Sequence, residues 1–243
     1  MKVGIIGAIE EEIEIIRDKI FKKNRTRIAK YNIDIGMFNG VEIFLLKSGV
    51  GKVSAALSSA LLLHLYKPNI VINIGSAGGL ISTLKIGDIV ISSEVSYHDV
   101  DVTEYNYQLG QIPGYAVNFQ ANYFLIKLAE LCIQKLNFFS VRGLMVSGDI
   151  FIHNQNQIEN ILNSFTKAIA VDMESAAIGH VCCKFSTPFV SVRTISDHAN
   201  FYASINFNNY ITIAAQKSFL VIEKMITYLS NLDISKLNLL YER

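Results

Sequence analysis

The sequence has no apolar run long enough to cross a membrane. Its 243 residues are 51% hydrophobic, yet no stretch reaches the ~18 uninterrupted apolar residues of a spanning helix. Segments 55–65 and 70–74 are broken by Ser, His or Asn. Neither charge sign is in excess: Lys and Arg number 22 against 21 for Asp and Glu, a net charge of +1. The basic residues are scattered, which argues against the basic stripe of a nucleic-acid surface. Proline is scarce, with only Pro68, Pro113 and Pro188, and none sits in a Gly/Ser-rich hinge. Without repeat or linker, one domain over 1–232 is expected, with 233–243 as an extension. Three cysteines, Cys132, Cys182 and Cys183, lack metal or disulfide spacing and read as buried thiols in helices. No charged-then-apolar export signal precedes the strand-like start at Lys2, so a cytoplasmic location is expected.

Short apolar runs alternate with longer helical patterns. Strands are predicted at 2–7, 26–35, 41–47, 70–74, 88–93, 140–146, 168–172 and 189–195. Helices are predicted at 10–22, 51–65, 122–136, 155–163, 174–184 and 207–232. This order predicts a single-domain α/β fold in three layers around a largely parallel sheet. Gly36 to Gly40 reads as an antiparallel hairpin, which makes the sheet mixed.

Ligands of such sheets bind beyond the carboxyl ends of the strands. Five ends carry small, polar or acidic residues: Ala8 and the glutamates after it, Gly75-Ser76-Ala77-Gly78-Gly79, Ser147-Gly148-Asp149, Met173-Glu174 and Ser196-Asp197. Their convergence says more than any one of them.

Glu10, Glu11 and Glu14 suit a helix N-terminus, where acids complement the dipole. Glu12 differs. At about 100° per residue it falls in the sector of Ile9, Ile13 and Ile16, facing inward. A buried charge needs a partner, so it either does chemistry or pairs with Lys19, which lies at nearly the same azimuth. Glu174 and Asp197 each allow a bland reading, as a helix-start charge and as a turn cap. Together with Glu12 on one rim they suggest acid–base work on a neutral or electron-poor substrate. Gly75 to Gly79 is not a Walker loop, and Gly4-Ile5-Ile6-Gly7 lacks dinucleotide spacing. His98-Asp99-Val100-Asp101 reads as a polar loop, since no ligand set with metal spacing accompanies it.

Taken together, these segments resemble the bacterial 5′-methylthioadenosine/S-adenosylhomocysteine nucleosidases. The motifs are Gly4 to Glu12, Lys47-Ser48-Gly49-Val50-Gly51-Lys52, Gly75 to Gly79, Tyr97 to Asp101, Ser147-Gly148-Asp149, Val171-Asp172-Met173-Glu174 and Arg193-Thr194-Ile195-Ser196-Asp197. The resemblance implies a nucleoside-phosphorylase-like fold, a homodimer and a place in methionine salvage. It implies hydrolysis of 5′-thio-substituted adenosines, and of 5′-deoxyadenosine, to adenine and a ribose. In that likeness Asp197 protonates adenine, Ser196 orients it, and Glu12 activates water beside Arg193 and Ser76. Glu174 and Met173 take the ribose, Phe151 stacks on adenine and Ile152 reads its edge. Ala8, Ile9, Val50, Ala77, Gly78, Asp172 and Phe207 complete the pocket, while Val102, Tyr105 and Pro113 of a second subunit cover the 5′ substituent. No cofactor or metal is implied. Ile9 stands where the family often has Met, and Asp172 where Glu is common.

Two alternatives stand beside this. A phosphorylase of the same fold needs a phosphate site, which Glu10, Glu11 and Glu12 would repel. A non-catalytic nucleoside-binding module needs none of the three acids that are present.

Overall fold

The apolar runs and amphipathic stretches do become alternating strands and helices. The structure is a computed structural model and describes residues 1–200 and 202–232; the proposed extension 233–243 lies outside them. β1 (Lys2–Gly7) leads into α1 (Glu10–Lys19), then β2 (Phe21–Ile28), β3 (Tyr31–Phe38) and β4 (Val41–Lys47). α2 (Lys52–Tyr66), β5 (Ile70–Gly79), β6 (Ile89–Tyr97) and β7 (Asn118–Gln120) follow. The chain goes on through α3 (Tyr123–Lys135), β8 (Ser140–Ser147), α4 (Gln155–Ser164) and β9 (Ala168–Asp172). It closes with α5 (Ser175–Lys184), β10 (Phe189–Asp197) and α6 (Ala203–Ser230).

All these strands join one mixed sheet, ordered β10-β6-β8-β9-β5-β1-β4-β3-β2 with β7 beside β6. β1 runs parallel to β4 and β5, β5 to β10, and β8 to β6 and β9. The sheet is not an open plane. β10 pairs with both β5 and β6, and β5 crosses β9 at Gly78 and Gly79, so β5, β10, β6, β8 and β9 form a closed ring. α6 packs on β10 and touches α1 and α3, while α2 packs on α5. These two helical groups and the sheet give the three layers. Strands covered on both faces become continuous apolar runs: β9 and β10 are buried at every position. Among the described residues, no helix is long and apolar enough to cross a membrane.

Several boundaries differ from expectation. The predicted strand 26–35 is the end of β2 and the start of β3. The chain reverses at Ala29 and Lys30, which have φ of 47° and 68°. Positive φ at both central residues suits the twist of a two-residue hairpin, but Ala-Lys carries no turn signal. The hairpin read near Gly40 is the β3–β4 turn, with Asn39 and Gly40 at φ of 46° and 83°. The first helix ends at Lys19 rather than 22, because Phe21 already pairs with Met37. β5 and β10 outrun their predicted ends because their mutual pairing continues to Gly78 and Asp197. β7 was not expected. Cys132 and Cys182 are buried, but Cys183, read as buried, is exposed, because it lies next to Cys182 on the outward side of α5.

Candidate active site

Four of the five strand ends singled out above line one cavity of about 190 Å³; Ser147-Gly148-Asp149 does not, and its strand reaches the wall through the residues that follow. Its wall includes Ala8, Ile9 and Glu12 after β1, Val50 before α2, and Ser76, Ala77 and Gly78 in β5. Phe151 and Ile152 come from the loop after β8, Asp172, Met173 and Glu174 from the β9–α5 junction, Arg193, Ser196 and Asp197 from β10, and Phe207 from α6. Ile150 and Val171 also line it and were not anticipated. Val102, Tyr105 and Pro113 do not line the cavity of their own chain.

Glu12 is 5% exposed and points inward, as its helical azimuth requires. Its Oε2 accepts from the Ala8 and Ile9 amides at 2.7 and 3.3 Å, and its Oε1 from the Ser76 amide and hydroxyl at 3.0 and 3.2 Å. The bond to Ile9 is the backward half of a capping box, with Glu12 at the third helical position. Lys19 is exposed. The cation near Glu12 is Arg193, at 4.0 Å, so the rival pairing with Lys19 does not form and an arginine from a distant strand stands there instead. Glu10, read as a helix-start acid, also pairs with Arg17 and Lys47. Gly75 makes the close approach possible. Its φ is +142°, and a Cβ there would lie 2.3 Å from Arg193 Nη1 and 2.5 Å from Glu12 Oε1.

Glu174 holds the N-cap position of α5, yet its side chain does not cap the helix. Asp172 does that, accepting from the Glu174 and Ser175 amides at 3.3 and 3.2 Å. Asp172 also accepts from the Ser147 and Ser175 hydroxyls and meets Arg193 Nη2 at 2.8 Å. Its oxygens are therefore engaged within the protein although it reaches the cavity wall. Glu174 is left to face the cavity, with Oε1 on the Gly51 amide at 3.0 Å and Oε2 3.5 Å from Arg193. Gly51 has φ of +91°, and a Cβ there would crowd Asp149 Oδ1 at 2.9 Å.

Three carboxyls thus surround one guanidinium that is itself only 1% exposed. Burial disfavours the charged form and like charges add to that. Burial pushes the Glu174 carboxyl up to about 7; Asp172 and Glu12 act in the same sense, while Arg193 and the Gly51 amide oppose them. Burial likewise raises Asp197, against the pull of the Ala199 amide and the Ser196 hydroxyl. Asp197 is indeed a cap, since Oδ1 accepts from the Ala199 amide at 2.7 Å. Its other oxygen, Oδ2, meets the Ser196 hydroxyl at 2.9 Å. Capping through Oδ1 is therefore compatible with a chemical use of Oδ2.

The raised Glu174 value has a consequence for stability. A carboxyl that holds its proton more tightly in the native state stabilises the fold fully only at low pH. That contribution is lost as pH rises from the ordinary value of 4.5 to about 7. Glu10, lowered to about 2 by its bond to Arg17, acts with opposite sign and below 4.5, so the windows do not overlap. Denaturant unfolding of wild type and Glu174→Gln across the upper window should show the wild type losing its advantage as pH rises. Parallel profiles would mean that Glu174 titrates normally.

Phe151 and Phe207 meet edge to face at the cavity, with centroids 6.4 Å apart and planes at 84°. Phe151 remains 42% exposed, so a flat apolar face is open to a planar ligand. The loop that carries it is tied down by Lys52, whose Nζ lies 2.6 Å from Asp99 Oδ2; that same oxygen accepts from the Asp149 amide at 2.9 Å. The expected polar loop at His98 is thus part of an ion cluster beside the cavity. Among the described residues, no group of His, Cys, Asp and Glu could hold a metal.

Sequence reading missed the polar layer beneath Arg193: Asn73, Ser175 and Ser191, all buried. Their signal was present. Asn73 interrupts Ile70-Val71-Ile72, and Ser191 sits between Val190 and Val192. A polar residue inside a buried strand requires partners.

The model of the phosphorylase superfamily matches residues 2–227. The chain is similar to the 5′-methylthioadenosine/S-adenosylhomocysteine nucleosidase from Neisseria meningitidis in complex with methylthio-immucillin-A. The two are 36% identical, with a TM-score of 0.92 over 93% of this chain and 99% of that one. It is similar to the corresponding nucleosidase from Colwellia psychrerythraea in complex with adenine: 38% identity and TM-score 0.91, over 93% of this chain and 94% of that one. A futalosine hydrolase mutant from Helicobacter pylori is 29% identical, with TM-score 0.90 over 94% of this chain and 99% of that one. With the closed-ring sheet, the carboxyl-lined cavity and these likenesses in hand, the chain belongs to the 5′-methylthioadenosine/S-adenosylhomocysteine nucleosidases of the phosphorylase superfamily.

Proposed function

We propose that the protein hydrolyses the N-glycosidic bond of 5′-methylthioadenosine and S-adenosylhomocysteine, releasing adenine and the 5-substituted ribose. The observation that carries this reading is the joint lining of one cavity by Glu12, Glu174, Arg193 and Asp197. Breaking the C1′–N9 bond sends its electron pair to adenine and leaves positive charge on the sugar. Asp197, whose affinity for a proton burial raises, gives a proton to N7 and makes adenine a neutral leaving group. Ser196 orients that acid. Glu12 takes a proton from the water whose oxygen bonds to C1′, and carboxylates in a water-poor site stabilise the cationic sugar. Ionised Glu174 accepts the ribose hydroxyls, while Phe151 lies against the base.

One feature favours water over phosphate as the nucleophile. Amides at a helix start commonly hold phosphate oxygens. Here the Ala8, Ile9 and Ser76 amides are all taken by the Glu12 carboxylate. An assay of adenine release in phosphate-free buffer tests the reading. Turnover of 5′-methylthioadenosine without phosphate is expected; strict phosphate dependence makes the protein a phosphorylase, and binding without turnover makes it a binding module.

The same reading includes a homodimer in which Val102, Tyr105 and Pro113 of a second copy cover the 5′ substituent. Tyr105 is 75% exposed, and Val53 and Leu57 leave an apolar strip on α2, at 77% and 48%. Exposed apolar clusters of this kind mark association surfaces. Sedimentation at assay concentration decides the point, and a fully active monomer removes the shared pocket.

A further inference from the structure

We propose that Asn73, a β5 residue outside the cavity wall, is a positioning residue for the hydrolysis, its amide holding the Arg193 guanidinium in the pose that meets Glu12 and Glu174. The inference rests on the hydrolytic reading above.

Arg193 makes two close contacts with acceptors, both through Nη2: Asp172 Oδ2 at 2.8 Å and Asn73 Oδ1 at 3.0 Å. Its contacts with the other acidic groups are looser, with Glu174 Oε2 at 3.5 Å and Glu12 Oε1 at 4.0 Å; the Ser76 carbonyl accepts at 3.4 Å. A guanidinium is a rigid planar fork, so two good contacts on one nitrogen set the direction of the others. Asp172 and Asn73 therefore decide where Nη1 lies, and Nη1 is the nitrogen that faces Glu12.

The Asn73 amide cannot turn over. Its Nδ2 donates to the Ile6 carbonyl at 3.0 Å, and its Oδ1 accepts from the Ser191 hydroxyl at 2.8 Å. Reversal would set carbonyl against carbonyl and amide N–H against guanidinium. Ile6 belongs to β1, and β1 leads directly into Ala8 and Ile9, whose amides hold Glu12. One buried amide thus ties β1, which leads into the helix carrying Glu12, to the strand that carries Arg193. Small misplacements in such a constellation are expensive; about 1 Å can cost on the order of 10²-fold.

The test compares wild type, Asn73→Leu and Asn73→Asp in adenine release, with KM, kcat and the pH profile of kcat. In Asn73→Leu, kcat should fall by about 10- to 100-fold while KM stays within about threefold, the pattern of an interaction that matters in the transition state. The acid limb of its profile should also move to higher pH. Glu174 faces Arg193 from β10, Asp172 from β9, Glu12 from α1 and the Gly51 amide ahead of α2. Burial pushes it up, and Arg193 is the main group opposing that. A displaced Arg193 leaves burial less opposed. A purely structural Asn73 would lower activity only in proportion to folded protein and leave the limb in place. That result, or wild-type kinetics in Asn73→Leu, overturns the proposal. Should Asn73→Leu not fold, Asn73→Asp keeps the shape and the acceptor toward Arg193 but loses the donor to Ile6. It should keep kcat within about fivefold above its own acid limb. A hundredfold loss there means that the Ile6 contact matters rather than the Arg193 pose. An inactive wild type overturns the hydrolytic reading itself, and only an active wild type puts Asn73 on trial.

Discussion

Asp197→Asn should bind substrate and release almost no adenine. The loss expected from removing a positioned general acid is roughly 10²–10⁴-fold, or about 3–6 kcal/mol of barrier at ~1.4 kcal/mol per decade. The fold should survive. The asparagine oxygen can still accept from the Ala199 amide where Oδ1 does now, and its NH2 can meet a Ser196 hydroxyl turned to accept. The specific readout is the leaving group. A ribosyl substrate that expels nitrophenolate needs no proton on departure and should be spared most of the loss. An equal loss on both substrates would show that Asp197 does something other than protonate adenine.

Glu12→Gln should be the other severe variant, for two separable reasons. It removes the base that takes the proton from water, costing again roughly 10²–10⁴-fold in kcat. It also sets a donor against donors. The carboxylate accepts from backbone amides on both oxygens, two on Oε2 and one, with a hydroxyl, on Oε1. The glutamine NH2 should settle on the Ser76 side, where the hydroxyl can turn and accept. The Ser76 amide then loses its partner, at about 1–3 kcal/mol for a buried unsatisfied group. A lower melting temperature with intact adenine binding by calorimetry and no turnover is the expected combination. Near-normal turnover removes Glu12 from the reaction.

What could be read in the sequence and what could not divide along physical lines. Glu12 was legible because a helix imposes a fixed azimuth per residue, and an acid among Ile13 and Ile16 has nowhere to point but inward. The strand ends were legible because strands buried on both faces become apolar runs whose stops are conspicuous. The partner of Glu12 was not: Arg193 comes from the opposite end of the chain, while Lys19 is a local neighbour, and local spacing can nominate only local partners. The same limit hid the Asn73 layer and the Lys52–Asp99–Asp149 cluster, whose members share no segment. The split of 26–35 was hidden for another reason. Ala29 and Lys30 adopt left-handed conformations that their side chains do not advertise.

The closed ring of β5, β10, β6, β8 and β9 means that none of the strands forming the cavity floor offers a free row of hydrogen-bonding groups to another molecule. The far end of the strand order is β2, whose neighbour in that order is β3 alone. An unpaired edge is a template for sheet-to-sheet aggregation, and charge along it is a standard protection. Arg25 and Arg27 lie on this strand, so two copies meeting there would bring like charges together. The chemistry is thus housed where the sheet cannot be extended, and the place where it could be is defended by repulsion.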